Sequence, residues 1–226
     1  MEMIFASPFF GIALSILAFS IGVYIQKKTG WVICNPLIIA IVLVIAVLLI
    51  FGISYEDYNV GGAMINMFLG PATACLAVSI YTKVELLKKH WLPILVGCSV
   101  GSLVSMGSVF LLCRLFGLDE AITMALIPKS VTTPIAVGIA QSHGGVVPIT
   151  VVAVIITGIM GSILAPSLIK LLKIDDEMCA GLAIGACSHA VGTSKAIELG
   201  ETQGAMSGLA IGICGVMTVI FSLFLL

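Results

Sequence analysis

The sequence predicts an all-α, polytopic membrane protein, and three observations carry that expectation. Of its 226 residues, 60% are hydrophobic and only 9% are charged, with a mean hydropathy of +1.25. A soluble domain is about half apolar and about a quarter charged. No soluble core hides this much apolar surface, because the outside of such a fold must be wet. The charges are also clustered: none lies between Lys28 and Glu56, Asp57 and Lys83, Lys89 and Arg114, Lys129 and Lys170, or Glu201 and Leu226. A spanning helix needs about 20 apolar residues, and each of these gaps holds at least one such stretch. Finally, runs such as Leu37–Phe51 do not alternate polar and apolar residues, as strands of a membrane barrel would.

The same composition excludes other classes. A net charge of −1 and the lack of a basic run speak against nucleic acid. The seven cysteines (Cys34, Cys75, Cys98, Cys113, Cys179, Cys187 and Cys214) are scattered and form no C-x-x-C pair. They read as small buried hydrophobes, with no disulfide frame, metal site or cofactor expected. Glu2 stands where a signal peptide would carry basic residues, so the first apolar segment is expected to be a retained helix.

Eight hydrophobic elements follow in order. The first is about Pro8–Ile25 and the second about Pro36–Ile53. The third, about Gly62–Tyr81, is interrupted at Gly70-Pro71. The fourth is about Trp91–Phe116. The fifth, Ala121–Ala140, contains Pro128, Lys129 and Pro134. The sixth is about Val146–Leu172. The seventh, Met178–Leu199, holds Ser188, His189, Gly192, Thr193 and Lys195. The eighth is about Gln203–Leu225, with Gly204, Gly208 and Gly212 spaced to form a packing stripe. One membrane domain is expected over residues 1–226, with scaffold helices at 1–60 and a repeat-containing transport core at 61–226. Elements one, two, four, six and eight read as ordinary spans. Elements three, five and seven mix Pro, Gly, Ser and Thr into apolar sequence. Backbone broken at membrane depth is tolerated only where protein or a water-filled cavity satisfies it.

Elements five and six resemble elements seven and eight. A shift of 60 positions places Val131 on Val191, Thr133 on Thr193, Ala136 on Ala196 and Gly144 on Gly204. Asp119-Glu120 precedes one half and Asp175-Asp176-Glu177 the other. The same shift brings Thr73 onto Thr133 as a weaker third copy. Lysine placement puts Lys27-Lys28, Lys83, Lys88, Lys89, Lys170 and Lys173 in the cytoplasm. The chain must then cross an even number of times between Lys89 and Lys170, which makes element five re-entrant. If element seven behaves alike, the two broken segments enter from opposite faces, an inverted repeat of the kind secondary transporters use. The alternative is that both cross fully as paired half-helices.

Two stretches carry chemistry. In Pro128-Lys129-Ser130-Val131-Thr132-Thr133-Pro134, a lysine and three hydroxyls sit between two prolines in a charge-free region. A membrane-buried charge faces a cavity or a partner, and a helix restarting after a break offers N–H groups to an anion. Together these suit a carboxylate; the bland alternative is a lysine snorkelling to the interface. The second stretch is Ser188-His189-Ala190-Val191-Gly192-Thr193-Ser194-Lys195. His189 could carry a proton or serve as a hydrogen-bonded helix breaker. Lys195 could pair with Glu198 or serve the substrate. Gly97-Cys98-Ser99-Val100-Gly101 fits a hydrolase elbow in letters only, since its context is an apolar helix. No enzyme is expected.

At these residues the sequence resembles the LrgB/CidB family of bacterial membrane proteins. The match rests on Pro128 to Ala136, on Ser188 to Thr193 and on Cys214-Gly215, with Asn35-Pro36-Leu37, Gly52-Ile53-Ser54-Tyr55 and Pro71-Ala72 as weaker support. Relatives are expected to carry glutamine before Pro71, proline near Ser79 and arginine at Lys195, so this chain departs there. The resemblance implies two functions. One is partnership with a small LrgA/CidA-type holin-like protein that modulates murein hydrolase activity and lysis. The other is transport of small monocarboxylates such as glycolate, glycerate or pyruvate. The residue reading favours the second. Lys129, Ser130, Thr132 and Thr133 would bind the carboxylate; Ser188, His189, Gly192, Thr193, Ser194 and Lys195 would complete the site. Pro71, Pro128 and Pro134 would break the helices. Proton or cation coupling, a homodimer and a place in the bacterial inner membrane complete the expectation.

Overall fold

The structure is a computed structural model, and it describes residues 5, 7–30, 34, 36–68, 71, 74, 75, 78, 81, 82 and 84–226. Among these residues all regular structure is helical. The chain falls into two compact units, Met1–Thr73 and Ala74–Leu226.

The first unit holds α1 (Pro8–Thr29), α2 (Pro36–Phe51) and α3 (Tyr55–Asn66). Gly30, at φ 67°, closes α1 with its N–H on the Gln26 carbonyl at 2.8 Å, a left-handed cap that suits glycine. The α1–α3 crossing is close because neither side has a side chain there. A Cβ on Gly11 would stand 2.5 Å from the Tyr58 carbonyl and 3.0 Å from Gly61 Cα. The Ser15 and Tyr58 hydroxyls meet at 2.8 Å beside that crossing. The sequence pattern starts its third element at Gly62, whereas α3 starts at Tyr55. Ser54 caps it by accepting from the Asp57 N–H at 3.1 Å, a polar start that hydrophobicity alone does not mark. The break expected at Gly70-Pro71, and the third repeat copy at Thr73, involve Gly70, Ala72 and Thr73, outside the described residues. Asn35, Ser79 and Lys83 lie outside them as well.

The second unit holds α4 (Val84–Lys89), α5 (Trp91–Leu115), α6 (Glu120–Leu126), α7 (Thr133–Ser142), α8 (Val147–Leu171), α9 (Glu177–Leu199) and α10 (Glu201–Leu225). Helices α1, α5, α8 and α10 have 22, 25, 25 and 25 residues and are apolar enough to cross a bilayer. At 1.5 Å per residue each spans its roughly 30 Å hydrocarbon core. Helix α2, with 16 residues, is shorter.

Two elements reverse direction. Helices α6 and α7 form one hairpin, separated by residues 127–132. Its base is tight, because a Cβ on Gly145 would lie 2.9 Å from the Ala125 nitrogen and 3.1 Å from the Ala140 carbonyl. The second reversal lies inside α9, at His189, whose φ of 43° and ψ of −141° are not helical. Before the turn, Gly181 packs on the Gln203 backbone and Gly185 on Ser207 and Ala210. The first arm therefore runs parallel to α10. After the turn, Thr193 meets Ser207 at 2.7 Å and Ile197 meets Gly204, so the second arm runs back along the same helix. A Cβ on Gly192 would stand 3.1 Å from Ile184 Cγ2. A straight helix would hold these two residues about 12 Å apart.

Helix α5 is also parallel to the first arm of α9. A Cβ on Gly97 would sit 2.9 Å from Leu182, and one on Gly101 would sit 3.7 Å from Ala186. The G-x-S-x-G letters are thus a helix-packing face. Of the stripe expected on α10, Gly204 packs on Ile197 while Gly208 has open space around it. Cys98, Cys113 and Cys214 are buried as expected, but Cys75, Cys179 and Cys187 are exposed. In a membrane helix exposure means lipid as well as water, so a thiol there costs little.

The acidic clusters before each hairpin are helix caps. Asp119 accepts from the Ile122 N–H at 2.7 Å, and Asp176 from the Cys179 N–H at 2.8 Å. The Cys179 N–H holds the Asp176 carboxyl below its ordinary value of 3.8. A depressed carboxyl stabilises the fold above its ordinary pKa, and this contribution disappears as the pH falls through the lowered one. Asp176→Ala is therefore expected to melt below wild type at pH 7, with the gap closing below about pH 3.8. Thermal unfolding in detergent at pH 7 and pH 3 checks this; a gap as wide at pH 3 as at pH 7 contradicts it.

Candidate functional site where two hairpins meet

The tips of the two hairpins meet inside the second unit. Pro128, Ser130 and Val131 share one small cavity with Ala186, Ser102, Ser105 and Thr218. Its volume is about 10 Å³, room for about one water. The depth of the contact follows from α8. His189 Nε2 donates to the Val154 carbonyl at 2.9 Å, and a Cβ on Gly158 would lie 2.5 Å from His189 Cε1. These positions are near the middle of the 25-residue α8.

The first tip is polar in an apolar setting. Lys129 Nζ donates to Ser130 Oγ at 3.2 Å, and Ser130 Oγ meets Ser105 Oγ at 2.8 Å. No carboxylate pairs with Lys129 among the described residues. Thr132 is the N-cap of α7 with φ −63° and ψ 148°, yet its side chain caps nothing. Its Oγ1 is buried with no partner among the described residues. An unpaired buried hydroxyl costs about 1–3 kcal/mol. Thr133 and Pro134 form the first turn of α7, where proline gives up a donor that is unpaired anyway.

The second tip is sterically determined. Ser188 and His189 are buried at 1% and 4% exposure. Because a carbonyl only accepts, the bond to Val154 fixes a proton on Nε2. Gly158 and Gly161 of α8 leave space for His189 and Ser188. Gly192 packs in the crotch of the turn, and Thr193 Oγ1 donates back to the His189 carbonyl at 3.0 Å. Ser194 is exposed and bonded to the Ala190 carbonyl at 3.4 Å. Lys195 pairs with Glu198 at 2.7 Å, about 9 Å down the second arm from the turn. The structure thus brings Ser130 to the cavity that Ala186 lines, seats Ser188 and His189 against α8, and leaves Lys195 engaged with Glu198.

Gly158→Ala tests the seat of His189. The added methyl has no room, so about 1–3 kcal/mol of stability is expected to be lost. His189→Gly keeps the positive φ and empties the space. The double variant should therefore lose less than the two single losses added together, as measured by chemical unfolding. Strict additivity would contradict the contact.

Ser102, Ser105, Ser207 and Thr218 also line or bond to this region. The sequence reading missed them. Their only signal is a hydroxyl in an otherwise apolar span.

The family model described as LrgB-like family matches residues 15–226. The chain is 40% identical to Antiholin-like protein LrgB of Bacillus subtilis (strain 168) over 215 residues, covering 95% of this chain and 93% of the relative. The chain belongs to the LrgB-like family. It is also 38% identical to the proteins of the same name from Bacillus cereus (strain B4264) and Bacillus anthracis (strain CDC 684 / NRRL 3495), covering 95% of this chain and 94% of each. No solved structure matches it. Four apolar spans among the described residues and LrgB membership together make it a multi-pass bacterial membrane protein.

Proposed function

We propose that this LrgB-family chain is an antiholin-like membrane protein. With a small LrgA/CidA-type partner in the same bilayer it restrains murein hydrolase activity and lysis. The near-full-length relation to proteins named antiholin-like carries this reading. Deleting its gene from the host is the test. Autolysis is expected to quicken and murein hydrolase bands on zymograms to strengthen, with both reversed by re-expression. Unchanged autolysis overturns it.

A second reading is favoured by Lys129, which has no carboxylate partner among the described residues, close in sequence to Thr132 at the α7 start, whose hydroxyl has no partner among them. Here the chain is a secondary transporter of small monocarboxylates such as glycolate, glycerate or pyruvate. Two hairpins that reverse at mid-depth fit the inverted-repeat plan of such transporters, with the 60-residue recurrence as its sequence trace. The half-helix start of α7, Lys129 and Ser130 would hold the carboxylate, and His189 would couple a proton through Nδ1, the ring nitrogen not bonded to Val154. No hydrolytic step is part of either reading. Uptake of labelled glycolate or pyruvate into proteoliposomes tests it. Saturable uptake is expected, and unsaturable leakage of unrelated solutes of similar size would sink it.

A further inference from the structure

Beside Lys129 a groove of about 500 Å³ runs along α8, lined by Leu126, Val152, Ala153, Ile156 and Thr157. Apart from the ammonium and the Thr157 hydroxyl, its walls are aliphatic. Val152 and Ile156 are 54% and 55% exposed, so the groove is open along its length. A charge in apolar surroundings calls for a counter-charge, and no carboxylate of the described residues supplies one. The walls specify the rest of the ligand.

We propose that this groove binds aliphatic monocarboxylates, with the carboxylate on Lys129 and Ser130 and the alkyl chain along α8 past Ala153 and Ile156. The inference rests on the transport reading of the same site and adds a rule of selection. The hydroxyls of a polyhydroxylated acid would lie unpaired against aliphatic walls, which opposes binding. The second carboxylate of a dibasic acid would find no cation among the groove's other described lining residues. A lengthening alkyl chain instead buries apolar area.

The test uses the full chain in lipid nanodiscs, titrated calorimetrically with acetate, propionate, butyrate, hexanoate, glycerate and succinate. Pyruvate uptake is followed in parallel in proteoliposomes. Affinity is expected to rise about fourfold for each added methylene up to butyrate, from about 0.8 kcal/mol per buried CH₂. Glycerate and succinate should bind more weakly than butyrate. Ala153→Phe fills the groove away from the ammonium and should flatten the series. A series that is flat in the wild type overturns the inference, as does a slope that survives unchanged in Lys129→Gln, since the acids are then only partitioning into lipid. Saturable pyruvate uptake with a flat series overturns this inference and leaves the transport reading standing. No saturable uptake and no carboxylate binding remove both.

Discussion

Gly185→Leu is expected to prevent the second unit from folding. Gly185 lies where the first arm of α9 runs parallel to α10, and its absent side chain is what permits the approach. A Cβ there would strike the Ser207 carbonyl oxygen and lie 2.8 Å from both Ser207 Cα and Ala210 Cβ. Two of those three atoms are backbone, so no rotamer change relieves the clash. Gly181, one turn earlier, makes the same approach to the Gln203 backbone, so the arm cannot tilt away at one point without losing the other. Overpacking of a core costs about 1–3 kcal/mol and occasionally more; with backbone opposite and three further atoms in leucine, the loss belongs at or above the top of that range. Size-exclusion chromatography and thermal unfolding in detergent measure it. Gly208→Ala is the internal control, since Gly208 has nothing within 4 Å. It should be neutral or gain up to about 1 kcal/mol from helix propensity. A Gly185→Leu protein that elutes and melts like wild type refutes the parallel packing, and with it the reversal of α9.

Lys129→Gln has the second large effect, and on uptake instead of folding. The Lys129 ammonium bonds only Ser130 among the described residues and has no carboxylate. A charged hydrogen bond to a bound carboxylate contributes about 1.5–3 kcal/mol, so its loss should raise KM for monocarboxylate uptake about 10- to 150-fold. The same substitution removes an uncompensated charge from apolar surroundings. The melting temperature should therefore equal or exceed that of wild type. Loss of uptake with gain of stability separates a binding lysine from a structural one. Lys195→Gln is the contrast. Lys195 already has Glu198 at 2.7 Å, and such a pair is worth at most about 1 kcal/mol, so uptake should change little. Equal effects of the two substitutions would place the anion elsewhere.

Class was legible because charge is forbidden in lipid, and the gaps between charges mark the spans directly. The break at residues 127–132 was legible because Pro128 and Lys129 violate an apolar pattern. What the sequence left open was direction. Residues 177–199 read equally well as a crossing segment with a kink and as a hairpin, because no proline marks the turn. The reversal depends on His189 at positive φ and on Gly158 and Gly161 in another helix. That information is split between segments about 30 residues apart, and no local pattern holds it. Lys195 illustrates the same limit. Its spacing to Glu198 and its place in the motif supported two roles, and only the fold shows that the ammonium is already engaged. The serines of α5 went unread because a lone hydroxyl in an apolar helix carries no sign of what it faces.

The cavity between the hairpin tips, about 10 Å³, also has a consequence for the passage of water. Protons cross a membrane protein along files of hydrogen-bonded waters, and a space for one water cannot hold a file. Among the described residues the contact between the two tips is therefore dry but for that one place. A continuous file of water through this point would require the tips to part.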